Sequence, residues 1–128
     1  MTVGEKIKRI RLHRGMTQNE LGLKSGLQNN CDVRIAQYES GSRMPKAPLI
    51  KKMAAALDVD PIVLSSQVPT SFEEVIQSLI WIDESKEVDA IYDCLKEHKK
   101  MKHKLDTGKI SRREYLDWQI SYASSPVR

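Results

Sequence analysis

The sequence predicts an all-α protein, and three kinds of observation point to this class. Apolar residues recur three and four positions apart through most of the chain, as they do on one face of an α-helix. Segments of the form Ser/Thr-x-x-Glu, which begin helices as capping boxes, occur at Thr17–Glu20, Ser71–Glu74 and Ser111–Glu114. No run alternates apolar and polar residues as a half-buried strand does. We therefore expect short helices separated by turns.

Five helices are predicted in the first half. Gly15 and Gly41 stand where the first and third helices should stop, because glycine is favoured just past a helix C-terminus. Pro45 and Pro48 precede the fourth helix, and Pro61 opens the fifth in a first turn that needs no proline N–H. The predicted helices are Gly4 to Arg14, a second from Thr17 to before Gly26, about Cys31 to Ser40, Leu49 to Leu57, and Ile62 to Ser65.

Three further helices are predicted after a short linker, Ser65 to Pro69. The first of these runs to Ile82, and a long helix follows from about Glu84 to Leu105. The last begins at the Ser111 capping box, after a turn around Gly108, and frays before Pro126. The second half is thus expected to be helical throughout.

Composition narrows the class of protein. The 128 residues suit one or two small domains, and no run of 18 apolar residues could span a membrane. The N-terminal residues lack the charged and then apolar pattern of a signal peptide, so we expect a cytoplasmic protein. Cys31 and Cys94 are then expected to be reduced thiols rather than a disulfide.

The positive charge lies in the first half. Residues 1–69 hold eleven Lys and Arg against six Asp and Glu, a balance of +5, whereas residues 70–128 hold ten against eleven, a balance of −1. An excess of cations in one half suggests a polyanionic partner for that half.

A long motif in the first half runs through Met16–Leu21 (Met-Thr-Gln-Asn-Glu-Leu), Ser25-Gly26, and Ile35–Pro45 (Ile-Ala-Gln-Tyr-Glu-Ser-Gly-Ser-Arg-Met-Pro). By this motif, residues 4–64 resemble the Cro and lambda-type phage-repressor helix-turn-helix family. The resemblance implies a five-helix lambda-repressor-like DNA-binding domain, which we place at residues 1–66. Its third helix would lie in the major groove and its second would point its N-terminus at phosphate.

The resemblance also implies which residues contact DNA. Thr17 and Gln18 would lie at the phosphate-facing end of the second helix, and Arg43 and Lys46 in a loop beside the backbone. On the recognition helix, glutamine can pair with adenine, arginine with guanine and valine with a thymine methyl. The implied recognition residues are Asp32, Val33 and Gln37, with Arg34 facing phosphate or base. Glu39 resembles the family's buried acid, which pairs with an arginine of the first helix, here Arg11; Leu21, Ile35 and Tyr38 are expected in the core.

One departure from the family lengthens the turn before the recognition helix. Nine positions separate Gly26 from Ile35, about three more than is usual in the family. The recognition helix is therefore expected to begin early, with Asn29 or Asn30 as its N-cap, since asparagine is favoured there. Either amide could also reach DNA.

The second half, placed at residues 70–128, is predicted to be an oligomerisation or partner-binding region. Its apolar stripes are too rich for two small helices to bury alone, and helix-turn-helix repressors read two-fold operators as dimers. The residues predicted to form this contact are Phe72, Val75, Ile76, Leu79, Ile80, Trp81, Val88, Ile91, Tyr92 and Leu95, with Ile82 extending the stripe.

The function that follows is a transcriptional repressor of phage or prophage type, bound to inverted-repeat operators as a homodimer or higher oligomer. No enzyme motif is present, and no cofactor or metal is expected, because the pair Cys94 and His98 has no second cluster beside it. The five lysines between Lys96 and Lys104 are a solvated helix end or an added DNA contact. Since no peptidase domain is present, an antirepressor protein is a candidate partner.

Two alternatives remain open at this stage. The chain could be the antitoxin of a toxin–antitoxin pair, with a helix-turn-helix head and C-terminal helices that hold the toxin. The second half could also be an interaction module whose partner is the main function, with DNA binding secondary.

Overall fold

The computed structural model describes residues 1–66, 69–81 and 88–122, and within them the protein is all-helical. This confirms the predicted fold class. The predictions made for Ile82, for Glu84 as the start of the long helix and for Pro126 lie outside these residues. The helices are α1 (Val3–His13), α2 (Gln18–Lys24), α3 (Cys31–Ser40), α4 (Ala47–Leu57), α5 (Pro61–Ser65), α6 (Phe72–Trp81), α7 (Val88–Asp106) and α8 (Arg112–Ser121).

The chain divides into two compact units at Pro69. The first unit contains α1 to α5 and the end of α8 from Ile120, and the second contains α6, α7 and the rest of α8.

Side-chain caps start the helices of the first unit. Thr17 and Glu20 form the predicted capping box: Thr17 Oγ1 accepts from the Glu20 N–H at 3.0 Å, and the Glu20 carboxylate accepts from the Thr17 N–H at 3.1 Å. Thr2 and Glu5 form a second reciprocal box that starts α1, which the sequence reading missed. Each box satisfies two backbone donors that a helix N-terminus leaves unpaired.

Two predicted starts are corrected. Helix α4 begins at Ala47 rather than Leu49, so Pro48 lies inside its first turn, where a missing N–H costs nothing. Before α6, Ser71 Oγ accepts from the Glu74 N–H at 3.2 Å as expected, but the Glu74 carboxylate accepts from the Thr70 N–H at 2.8 Å instead. The Ser111–Glu114 box has both of its hydrogen bonds.

The core of the first unit draws on each of its five helices. Leu21, Ile35 and Tyr38 are buried, as predicted. Burying one such aliphatic side chain stabilises a fold by about 1.5–3 kcal/mol. The largest fully buried side chains are Ile7, Leu21, Ile35, Met53, Leu57 and Leu64.

A buried ion pair joins α1 to α3, as the resemblance implied. Arg11 Nε donates to Glu39 Oε1 at 2.5 Å, and both side chains are more than nine-tenths buried. Arg11 Nη1 also donates to the backbone oxygen of Met16 at 2.7 Å, and Gln18 Nε2 donates to Glu39 Oε2 at 3.0 Å. These hydrogen bonds together join α1, the turn after it and the start of α2 to α3.

The second unit has a different interior. No residue of α6 or α7 that the structure describes is buried. Its contacts are aromatic and polar. The rings of His98, Tyr115 and Trp118 pack in edge-on and tilted arrangements, with centroid separations of 5.7 to 6.4 Å. Tyr115 Oη also lies 3.1 Å from His98 Nε2. These contacts fasten α8 to α7, while the first half of α7 and the whole of α6 keep their apolar side chains exposed or half-exposed.

Candidate nucleic-acid interface

Helices α2 and α3 cross at a point where only glycine fits. A Cβ placed on Gly22 would stand 2.5 Å from the Cβ of Cys31, well inside van der Waals contact. Cys31, the first residue of α3, is buried against this glycine, and its thiol donates to the backbone oxygen of Leu27 at 3.3 Å. The absence of a side chain at Gly22 therefore lets the backbones of α2 and α3 approach closely at this point.

The turn between these helices ends in a left-handed residue. Asn30 has φ 51° and ψ 43° and occupies the N-cap position of α3, as one of the two predicted candidates. Its side chain makes no capping hydrogen bond with the described residues, so the expected mechanism of capping is wrong. Asparagine tolerates the left-handed region better than most residues, and the chain uses that backbone bend to enter the helix.

The exposed face of α3 carries the predicted recognition residues. Ile35 and Tyr38 point into the core, so the opposite side of the helix is turned outward. Val33 is 51% exposed there, Asp32 is exposed, and Gln37 is half-buried. Val33 and Gln37 are four positions apart and share one face, so a duplex in contact with one lies beside the other.

The loop after α3 folds back on the recognition helix. Gly41 ends the helix with φ 82°, and the Arg43 N–H then donates to the backbone oxygen of Gln37 at 3.2 Å. Ser40 Oγ donates to the same oxygen at 3.1 Å. These bonds hold the backbone of Arg43 next to Gln37, with the Arg43 side chain exposed, as is that of Lys46.

The start of α2 offers fewer free donors than the sequence suggested. Thr17 is exposed at the N-cap, but Gln18 is half-buried and gives one amide N–H to Glu39. Gln18 has a second amide N–H. Asn29 and Asn30 are both exposed in the turn before α3.

Arg34 lies at the edge of the recognition face rather than on it. Its side chain is half-buried against Tyr38, and Nη2 donates to the Tyr38 hydroxyl at 3.3 Å. It lines a pocket between α3 and α4 together with Arg43, Lys46 and Lys52. The sequence analysis did not identify Lys52, because no local pattern shows that α4 brings this residue close to the turn at Gly26. A Cβ placed on Gly26 would stand 3.9 Å from Lys52 Nζ.

The first unit thus consists of a capped helix, a turn and a second helix whose outer face is exposed among cations, and this defines a helix-turn-helix protein that binds DNA. Residues 7–64 match the family model described as helix-turn-helix. The resemblance to Cro and lambda-type repressors is confirmed at the level of the family, and the chain is a DNA-binding transcription regulator. No curated protein and no solved structure matches it.

The predicted oligomerisation residues that the structure describes are uncovered to varying degrees. Phe72 is 74% exposed and Trp81 80% exposed, values far above those of core aromatic residues. Val75, Ile80, Tyr92 and Leu95 are also exposed; Ile76, Leu79, Val88 and Ile91 are half-buried.

Two further properties concern only the described residues. No helix among them has the length and apolar character needed to cross a membrane. No three His, Cys, Asp or Glu side chains among them converge as metal ligands would.

Proposed function

We propose that this regulator is a repressor of phage or prophage type, which reads the two halves of an inverted-repeat operator as a dimer or larger oligomer. The observation that carries the proposal is the outward face of α3. It presents Val33 and Gln37 together, with Arg43 held beside them by its backbone bond to the Gln37 oxygen.

Base recognition is assigned to the exposed and edge positions of α3. The Gln37 amide can form two hydrogen bonds with adenine, and Val33 can contact a thymine methyl. Asp32 can accept from the cytosine amino group, but its charge also repels phosphate. Arg34 would approach guanine or the backbone from the edge of the face. Asn29 and Asn30 are exposed where the lengthened turn would approach the duplex.

Phosphate contacts are assigned to the residues that flank α3. Thr17 lies at the N-terminus of α2, where free N–H groups and the helix dipole favour an anion. Gln18 would donate its second amide N–H, the one that does not bind Glu39, to a phosphate oxygen. Arg43 and Lys46 are exposed cations of the loop before α4. Such contacts position the protein and set the salt dependence, while the bases set the sequence.

Oligomerisation is assigned to α6 and the first half of α7. None of the described residues of α6 and α7 is buried. These helices therefore gain little stability on their own, because the hydrophobic effect scales with the apolar area removed from water. A second copy that packs on this face would bury Phe72 and Trp81. It would also supply the second DNA-binding head that a two-fold operator requires.

Selection of bound sequences from random duplexes, with the full chain, tests the proposal. The expected result is an inverted repeat whose half-sites share one sequence, protected on both halves in footprinting. Enrichment of single half-sites without symmetry would contradict the dimeric reading, and no enrichment at all would contradict sequence-specific repression.

The exposed apolar face favours a second candidate, an antitoxin whose C-terminal helices hold a toxin. An antirepressor protein could occupy the same face. The mass of the protein purified alone distinguishes these from the leading proposal. A stable dimer in which Phe72 and Trp81 are protected from solvent supports the repressor, whereas a monomer that forms a complex with the product of a neighbouring gene supports the antitoxin.

A further inference from the structure

An open pocket of about 610 Å³ lies between α3 and α4 in the first unit. Pockets of this size hold small organic molecules, since typical ligand sites span about 300–1,000 Å³. Its wall holds four cations and, among the described residues, no acid. These cations are Arg34, Arg43, Lys46 and Lys52.

One of these cations has a buried donor without an acceptor. Arg34 Nε is shielded from solvent and makes no hydrogen bond to any described residue, although Nη2 donates to the Tyr38 hydroxyl. A buried N–H without a partner costs free energy, and more so on a charged group. An anion in the pocket would lie beside this guanidinium and would partly neutralise the four cations of the lining.

The rest of the lining is apolar, which distinguishes the pocket from a simple phosphate contact. Leu27 belongs to the lengthened turn and is buried beside the pocket, and Met44, Pro48 and Leu49 complete the floor. Leu27 is held in place by its own N–H, which donates to the Gly22 oxygen at 3.0 Å, and by its carbonyl, which accepts from the Cys31 thiol. Leu27 is thus the residue through which the turn before α3 contributes to the lining.

The geometry points to a binding site for a small amphipathic anion, a carboxylate or phosphate head on a short apolar body. The head would lie against Arg34 and Lys52, and the body would cover Leu27 and Leu49. A DNA phosphate offers the head but not the body, so it would leave the apolar floor exposed to water.

The ligand would also release DNA, and this step rests on the proposed function. Arg34, Arg43 and Lys46 line the pocket and are proposed DNA contacts, so one set of cations cannot neutralise the ligand and the operator at the same time. The anion would therefore act as an inducer on the DNA-binding domain itself.

Nuclear magnetic resonance of the full-length protein tests the site without DNA. The probe is octyl phosphate, compared with octanoate, octanol and inorganic phosphate. The Nε–H signal of Arg34, assigned by its loss in Arg34→Lys, should shift on addition of octyl phosphate or octanoate. Octanol and inorganic phosphate should bind at least about tenfold more weakly, because each lacks one half of the recognition.

Matched variants separate this pocket from the apolar face of the second unit. Lys52→Gln removes a pocket cation, whereas Lys51→Gln removes an exposed cation of the same helix that lies outside the lining. We expect Lys52→Gln to weaken octyl phosphate several-fold and Lys51→Gln to leave it unchanged. Leu49→Ser should weaken octyl phosphate but not inorganic phosphate.

Three outcomes would overturn the inference. The Arg34 signal could stay in place while octyl phosphate binds elsewhere, inorganic phosphate could bind as tightly as octyl phosphate, or Lys51→Gln could weaken binding as much as Lys52→Gln does. A competition assay with the selected operator then tests release separately. Ligand binding without loss of the operator would refute the inducer role alone, and failure to select any operator would leave the pocket result standing.

Discussion

Glu39 accepts hydrogen bonds from two other helices at once, Arg11 on α1 and Gln18 on α2. Its carboxylate is buried on α3, one position from Tyr38. A buried charge is tolerated only while it is paired, because desolvation of a lone ion costs several kcal/mol. This side chain therefore holds the recognition helix without approaching DNA itself.

Loss of this carboxylate should destabilise the fold strongly. We expect Glu39→Ala to lower the free energy of unfolding by about 3–5 kcal/mol, since Arg11 would remain buried and unpaired. Urea unfolding followed by circular dichroism measures the change. The control is Asp32→Ala, which removes an exposed acid from the first turn of the same helix and should cost less than about 1 kcal/mol. Equal losses in both variants would contradict the structural role of the ion pair.

The recognition residues should separate by the kind of contact that they make. Gln37→Ala should reduce discrimination at one base position by about 1–3 kcal/mol, the value of a good bidentate contact. Arg43→Ala should weaken binding to all sequences alike, because phosphate carries no sequence information. Competition binding to a panel of operator variants measures both effects. An unchanged base preference in Gln37→Ala would show that another residue of α3 occupies the reading position.

At the scale of the element, the end of α4 depends on contacts from outside the helix. Arg14 donates to the backbone oxygens of Leu57 and Asp58 at 2.9 and 3.2 Å, which satisfies carbonyls that a helix C-terminus leaves unpaired. Asp58 itself has φ 56°, a left-handed conformation in which most side chains are strained. It also places a negative charge at the negative end of the helix dipole.

Glycine at position 58 should therefore stabilise the fold more than aspartate does. We expect Asp58→Gly to raise the free energy of unfolding by about 0.5–1 kcal/mol, because glycine enters the left-handed region without steric cost. The matched variant Asp58→Ala keeps the Cβ and should not stabilise the fold. Thermal unfolding of the three proteins side by side measures the order, and a more stable alanine variant would contradict the argument from backbone conformation.

At the scale of the whole molecule, the proposed function gives the two units different roles in DNA binding. The first unit would supply contacts to bases and phosphates, and the second would supply a second copy of the first. Joining two heads raises the effective concentration of the second on DNA, and avidity can rise by about 10²–10⁴ without a new contact.

Operator binding should depend strongly on salt. If each half-site involves about three to five neutralised phosphates, the logarithm of the binding constant should fall with the logarithm of salt concentration at about 0.9 per phosphate. Fluorescence anisotropy with the selected inverted repeat at several salt concentrations measures the slope. A flat response would contradict the assignment of Arg43 and Lys46 to the backbone.

Removal of the second unit should leave a folded, weakly binding monomer. A chain that ends near Pro69 retains α1 to α5 and the buried residues of the first unit other than Ile120, so it should unfold cooperatively. Light scattering should give a monomer for this chain and a dimer or larger species for the full protein. A full-length monomer at micromolar concentration, or a truncated chain that binds the operator as tightly as the whole, would refute the proposed role of α6 and α7.

Helix content, most of the helix starts and the helix-turn-helix family could be predicted without coordinates, because they depend on local patterns. The Thr17–Glu20 box needs only residues three apart, and the core positions Leu21 and Ile35 follow from helical periodicity. The apolar stripe predicts a start for α4 that is two residues too late. The reason is that proline is tolerated in the first turn of a helix, and Pro48 lies there.

Tertiary packing decided which hydrogen-bond donors of the site remain available to a ligand, because the partners of these donors come from distant parts of the chain. Gln18 meets Glu39 across 21 positions, and this contact occupies one of the donors that the motif assigned to phosphate. Lys52 meets the turn at Gly26 only because α4 packs beside it. The unpartnered Nε of Arg34 is likewise a product of burial, which no spacing of residues along the chain expresses.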